Sequence, residues 1–303
     1  MLGKTVASDS GAIPRKRCDI IIVNYNSTDH VLRCIESIAS HVDLDNVNVV
    51  VADNHSSDRP ERIEDAFEGV RLLRNAKNIG FSRANNRAAA LCRSPYLIIL
   101  NPDTVVMPGF FDRIFQFIEN NGAYGIIGPK IYDREQRIQG SARSFPTLLT
   151  SLFGRRSPLT KLYPNNTITR KNMLNLHYTG ALPLDVDWVS GACMVIHRHV
   201  FESVGRFDEG FFLYWEDADL CRRVKAAGWR IAYYPGASLV HFTGKSSDTH
   251  PYYATYHFHR SCYYLYRKHA RGLKGLLAPL VFSGLALRGL FAMLLIFIRR
   301  NVR

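Results

Sequence analysis

Three short apolar runs that each stop on a polar or acidic residue constrain this chain more than any other feature: "DIIIVNYN" (19–26), "VNVVVADN" (47–54) and "YLIILN" (96–101). None alternates apolar with polar residues, so each reads as a strand covered on both faces, as in a parallel sheet between two layers. Between them lie an amphipathic stretch from Val31 to Ala39, a polar helical segment near 60–68, the short run "VRLL" (70–73) and a helix predicted over 82–92. Strands alternating with helices predict an α/β fold, a mostly parallel sheet flanked by helices.

Open sheets of this kind bind ligands at the carboxyl ends of their strands. There the chain places "NYN", "DNHSSD" and "NPDT". Asp53 could accept hydrogen bonds from a ribose or base, or could build a turn or helix cap. Asp103, after the most apolar strand, could ligate a divalent cation bridging a diphosphate, or sit in a ligand-free Pro-Asp turn. One carboxylate is a poor cation site, and His241 in "SLVHFTGKS" is the candidate partner, the alternative being a structural histidine. In "NIGFSRANNRA" (78–88) a glycine precedes Ser82, a possible N-cap, and the helix start offers N–H groups to phosphate; Arg83 and Arg87 could equally be a solvated face.

Three carboxylates, Glu216, Asp217 and Asp219, follow an aromatic wall of Phe211, Phe212, Tyr214 and Trp215. A helix from Asp217 to Ala227, closed by Gly228, puts the first two at its positive end, where the dipole stabilises negative charge. Capping and an ion pair with Arg222 or Arg223 explain one carboxylate, not three. A partly desolvated one can serve as general base.

The net charge of +13 and pI near 9.6 call for an anionic partner, and nucleic acid, an acidic membrane surface and a phosphorylated small molecule all qualify. Basic residues are dispersed or near the C-terminus and no nucleic-acid module is recognisable, so no nucleic-acid partner is expected. The 6 cysteines form no CxxC pair and read as buried, reduced thiols. Residues 1–17 form a tail without the apolar core of a signal peptide. Residues 18–248 make the catalytic domain, within which 141–187 is loop-like and suggests a substrate flap. The C-terminal 249–303 holds an aromatic and basic helix (249–269) and the apolar run 276–298. That run could span a membrane by length, but Arg288 near its middle and the arginines after it argue for a helix lying in the interface, its narrow polar side formed by Lys274, Gly284, Arg288, Ala292 and Arg299. Arg267, Lys268 and Arg271 would meet anionic lipids. A helix buried on the catalytic domain is the alternative.

Taken in order, "IIIVNYN", "VVADNHSSD", "NIGFSRANN", "LNPDT", "WVSGACMVIHRHVFESVGRFDEGFFLYWEDADLCRRVKAAGW" and "HFTGKS" resemble the family 2 glycosyltransferases of the GT-A fold, especially bacterial rhamnosyltransferases of cell-surface polysaccharide synthesis. The resemblance spans roughly 19–247. It implies an inverting transferase that uses a nucleotide-sugar donor and a divalent cation, Mg2+ or Mn2+. Asp217 is then the catalytic base with Glu216 beside it. Asn24, Asn26, Asp53, Asn78, Gly80, Asn101 and Asp103 contact the donor, Asp103 and His241 hold the metal, and Trp215 and Gly191 lie on the acceptor side. "NPD" keeps only the last carboxylate of the family's DXD element, which makes His241 more important. The expected donor is dTDP-L-rhamnose and the acceptor a lipid-linked or polysaccharide hydroxyl, at the cytoplasmic face of a bacterial inner membrane. Transfer of another sugar (hexose, galactofuranose or N-acetylhexosamine) is the first alternative, and a catalytically inactive, nucleotide-binding membrane-associated protein is the second.

Overall fold

The computed structural model of the chain describes residues 16–147, 167, 172–242 and 251–301. The apolar runs are strands β1 (Cys18–Asn24), β2 (Val47–Asp53) and β4 (Tyr96–Leu100), joined by β3 (Arg71–Arg74). β1 lies parallel between β2 and β4, and β3 adds parallel outside β2. Successive residues of β1 point to opposite faces, and both faces are covered. Ile20 and Ile22 join the cluster under α1 (Thr28–Ala39) and α4 (Phe110–Asn120). Ile21 and Val23 join the cluster under α3 (Phe81–Ala89), α5 (Arg198–Ser203) and α6 (Glu216–Ala226). A short helix, α2 (Arg62–Ala66), precedes β3.

Beyond β4 the pairing is mixed. β10 (Cys193–His197) runs antiparallel to both β4 and β6 (Tyr124–Tyr132). β6 is parallel to β11 (Arg230–His241), which pairs antiparallel with β5 (Thr104–Val106) and β8 (Leu184–Asp185). Among the described residues the sheet has 9 strands, and β7 (Ala142–Arg143) and β9 (Trp188–Val189) form a 2-stranded ribbon beside it. The expected parallel sheet is thus its first half. Burial on both faces, which the apolar runs encode, is blind to strand direction, so the antiparallel pairs of the second half left no signature. All 6 cysteines are free, 5 buried and Cys262 partly so. Of the expected flap, 148–166 and 168–171 lie outside the described residues, as do 243–250.

The C-terminal region is a helical hairpin: α7 (Pro251–His269), the single turn α8 (Leu273–Leu276) and α9 (Ala278–Asn301). α7 is bound to the catalytic core. Leu265 enters the second cluster, Ser261 Oγ donates to the Leu213 carbonyl at 2.8 Å, and His257 stacks on Phe212 with ring centroids 4.5 Å apart. α9 returns antiparallel along it: Phe282 meets Tyr263, Gly289 meets His259, and Arg300 lies over Tyr252. The side laid on α7 passes through Ala278, Val281, Leu285 and Gly289, while Gly284 and Arg288 are exposed. The polar side expected from spacing is therefore not the packed one, because small and branched apolar residues let α9 approach α7 closely. Lys268 also departs from expectation. It turns inward to Asp208 and Asp219 instead of outward to lipid.

Candidate active site

Register builds the first wall of the site, since β1 pairs with β2 so that Asn24 stands opposite Asp53. Asn24 is fully buried, and its amide donates to Asp53 Oδ1 at 3.0 Å and Thr28 Oγ1 at 3.2 Å. Its Oδ1 accepts from the Ser27 N–H and hydroxyl. Asn24, expected to touch the donor, therefore spends its bonds internally and orients Asp53. The other Asp53 oxygen accepts the Ser56 N–H at 3.1 Å, so this aspartate builds its turn while facing the strand ends. Asn26, at φ 49°, accepts the Ser57 N–H at 2.8 Å and holds the same loop.

Gly80 precedes α3 at φ 86° and ψ 170°, a region open essentially to glycine alone. Its N–H goes to Asn78 Oδ1 at 3.0 Å, and the Phe81 N–H goes to the Phe212 carbonyl at 2.7 Å. Ser82 is not the cap. It is buried in the first turn, and its hydroxyl finds no partner among the described residues. Two of the amides expected to be free for phosphate are thus used internally: that of Gly80 closes its own turn on Asn78, and that of Phe81 ties the turn to the loop ahead of the acidic cluster. Asn54 and Asn75, which sequence reasoning missed, brace this turn: Asn54 Nδ2 donates to the Gly80 carbonyl and Asn75 Nδ2 to Asn54 Oδ1. A Cβ on Gly80 would lie 2.6 Å from the Phe212 carbonyl oxygen. Gly80→Ala is therefore expected to cost about 1–3 kcal/mol in backbone strain before the clash is counted, read as a lowered Tm together with weakened nucleotide binding.

Asp103 and His241 meet because β5 pairs with β11, setting Thr104 beside His241. His241 Nε2 is 3.2 Å from Asp103 Oδ1, with the two side chains 12% and 11% exposed. Gln139, another residue missed from sequence, decides the tautomer. Its Nε2 donates to the His241 carbonyl at 2.9 Å, so its Oε1, 3.2 Å from Nδ1, must accept the ring N–H. In the neutral ring Nε2 then carries the lone pair, and Asn101 Nδ2 approaches it at 3.4 Å. Two acceptor atoms facing each other at 3.2 Å repel unless a cation or proton lies against both. Neighbouring ligands on one divalent ion, at bonds of about 2.1 Å, sit roughly 3 Å apart, so the pair fits one. Among the described residues no group of three or more His, Cys, Asp or Glu side chains is placed to hold a metal ion by itself.

The acidic cluster begins on a strained corner. Tyr214 and Trp215 have φ of 68° and 70°, each costing on the order of 1–3 kcal/mol for a bulky residue. α7 holds them there, with Phe258 ring centroids 5.9 Å from Tyr214 and 5.4 Å from Trp215. The corner lets α6 start at Glu216, and the three carboxylates then meet different fates. Glu216 is buried with Oε2 unpartnered among the described residues, and burial, then the Asp217 charge, push its pKa well up. Asp217 stays partly exposed. Its Oδ2 accepts the Gly191 N–H at 2.9 Å and its Oδ1 the Ala218 N–H at 2.7 Å. Burial raises its pKa, and these N–H bonds and the Arg143 charge only partly offset that.

Asp219 is fully buried among cations. Bonds from His269, Arg223 and Lys268 outweigh the desolvation and hold its pKa at about 2. Its stabilising contribution is present above the ordinary carboxylate range and is lost as pH falls toward 2. The ion pair expected with Arg222 or Arg223 forms at Asp219, which Arg223 bonds at 2.8 Å, while Arg222 lies over Phe145.

One turn joins the base candidate to the metal candidates. The Gly191 N–H binds Asp217, and the next carbonyl, of Ala192, accepts the Asn101 N–H at 3.0 Å. A braced nucleotide-type sheet edge, an Asp–His pair and one accessible carboxylate of raised pKa thus surround a single turn. The fold is the GT-A fold of glycosyltransferases. It is shared with the crystal structure of GalNAc-T7 with UDP, GalNAc and Mn2+ at TM-score 0.57 and 17% identity, covering 76% of this chain and 44% of that one. It is shared also with the mannosyltransferase PcManGT from Pyrobaculum calidifontis in complex with GDP-Man and Mn2+, at TM-score 0.53 and 14% identity over 92% of this chain and 72% of that one.

The chain belongs to glycosyl transferase family 2, whose family model matches residues 19–205. It is 30% identical to the N-acetylglucosaminyl-diphospho-decaprenol L-rhamnosyltransferase of Mycobacterium tuberculosis strain H37Rv, over 89% of this chain and 90% of that protein. It is 26% identical to the rhamnosyltransferase WbbL of Escherichia coli K12, over 74% of this chain and 82% of that protein.

Proposed function

We propose that this enzyme transfers L-rhamnose from dTDP-L-rhamnose, with inversion, to a hydroxyl of a lipid-linked or polysaccharide acceptor at the cytoplasmic face of a bacterial membrane. The observation that carries the chemistry is Asp217: partly exposed, raised in pKa, and fixed by the Gly191 N–H at a helix start. It takes the proton of the acceptor hydroxyl. The acceptor oxygen then bonds to the anomeric carbon as the bond from that carbon to the diphosphate oxygen breaks, and the proton stays on Asp217. A single base suffices, because the diphosphate leaves without protonation. Asp103 and His241 would hold a divalent cation, with further ligands from the donor. When bound, the ion supplies positive charge for the leaving diphosphate.

The rhamnosyl assignment rests on likeness to rhamnosyltransferases over most of the chain. Turnover against a panel of nucleotide sugars tests it: dTDP-L-rhamnose should be preferred, and preference for a UDP-hexose or UDP-N-acetylhexosamine would replace it.

Membrane association is supported by α9. Its most apolar window has mean hydropathy 2.2 and is 6% buried, so it is long and apolar enough to cross a bilayer. Yet α9 lies along α7, which is bound to the catalytic core, and crossing would carry that core into the lipid or strip the two helices apart. An in-plane position leaves Leu287, Leu290, Phe291 and Leu294 for the acyl boundary and Arg299 and Arg300 for anionic headgroups. Deleting 274–303 is expected to move the enzyme from membrane to soluble fractions while donor binding persists and transfer to long-chain lipid acceptors falls. A C-terminal tag accessible to protease on the outer face of intact cells would instead show a spanning helix.

A further inference from the structure

The helical hairpin does more than attach the enzyme to a surface. Asp219, two residues beyond the proposed base on α6, is completely buried. It is bonded by three side chains. Arg223 Nε of its own helix is at 2.8 Å, while Lys268 Nζ at 2.8 Å and His269 Nε2 at 2.7 Å come from the end of α7. Lys268 bridges further to Asp208 at 2.6 Å, and Asp208 also accepts the Tyr264 hydroxyl at 3.1 Å and the Gly210 N–H at 2.8 Å. The closed cluster therefore grips both the loop entering α6 and the first turn of α6. Gly210 passes so near Tyr264 that a Cβ there would meet the ring hydroxyl at 2.6 Å. Such a group of buried charges is a poor source of net stability, since desolvation offsets most of its attraction, but its directional bonds fix relative position.

We infer that Asp219 is a positioning residue: with Lys268 and His269 it sets the place of Asp217 from the hairpin, making the C-terminal helices part of the catalytic geometry. Without the cluster, the packing of Phe258 on Tyr214 and Trp215 would be left to hold that left-handed corner. The clamp opposes relaxation of that corner and keeps Asp217 against the Gly191 N–H. The inference rests on the assignment of Asp217 as base, and its test is chosen to be readable without that assignment.

In the full-length protein, Lys268→Met removes the bridge while leaving Asp219 with Arg223 and His269, and Lys268→Arg restores a cation of similar reach. Hydrogen exchange of the 216–220 amides is expected to quicken at least ~10-fold in Lys268→Met, with the sheet amides unchanged, and to return most of the way in Lys268→Arg. With transfer to a short-chain, detergent-soluble acceptor, kcat should fall about 10-fold or more while KM for donor stays within about threefold, because the donor wall on β1 and β2 is untouched. Asp219→Asn should follow the same pattern if it folds. Unchanged exchange at 216–220 in a folded Lys268→Met protein overturns the clamp. Quickened exchange with unchanged kcat shows that the clamp is structural and does not position the base. If the exchange result holds but Asp217→Asn leaves turnover intact, it is the choice of base that fails.

Discussion

Asp217→Asn is expected to leave a folded, donor-binding protein whose turnover is reduced at least ~10²-fold, the lower range for a positioned general base. The substitution preserves shape, and the amide oxygen can still accept one of the two N–H groups, from Gly191 or Ala218, that the carboxylate accepts now. What it removes is the capacity to take a proton. The wild-type pH profile carries the same signature. Burial lifts the Asp217 pKa, and the base works only when ionised, so turnover should fall as pH drops through a value above that of an exposed aspartate. That acid limb should be missing from the residual activity of Asp217→Asn. Calorimetric dTDP binding beside kcat against pH separates loss of chemistry from loss of the site. Near-normal turnover would shift the role to Glu216. Asp219 is no substitute, since its oxygens are occupied by Arg223, Lys268 and His269.

The parts of this enzyme legible in its sequence are those written as local pattern. Apolar runs ending in Asn24, Asp53 and Asn101 announced both the buried strands and the edge where a ligand would lie. The crowding of carboxylates at 216–219 announced a helix start with excess charge. What stayed hidden depends on pairing between distant segments. Gln139 and His241 are 102 positions apart, and nothing around "RIQGSAR" marks a glutamine that orients an imidazole. Asp219 looked like one more helix-start acid, and Lys268 like a basic residue awaiting lipid, because sequence shows the charge but not which face of α7 is inward. Ser82 misled for a related reason: the carbonyl of Phe212, far along the chain, does at the start of α3 what a capping side chain does elsewhere.

The second large effect is expected at the Asp103–His241 pair. Asp103→Ala and His241→Ala should each raise the Mn2+ concentration for half-maximal activity by more than ~10-fold, because neither residue alone makes an adequate site. Gln139→Leu should act on the same quantity, though it would touch no ion. Losing the Oε1 acceptor frees His241 to turn or to change tautomer, and groups that orient a metal-bound imidazole typically contribute about 10–100-fold in affinity or activity. Titrating Mn2+ by electron spin resonance with dTDP present measures this without turnover. The ordering of the variants carries the argument. If His241 ligates, His241→Ala must be at least as damaging as Gln139→Leu. If the imidazole only supports the Asp103 loop, both changes leave Mn2+ affinity near wild type and only Asp103→Ala weakens it. Weakening by Gln139→Leu without any by His241→Ala would mean that the glutamine acts through the strand, because its amide also holds the His241 carbonyl at 2.9 Å.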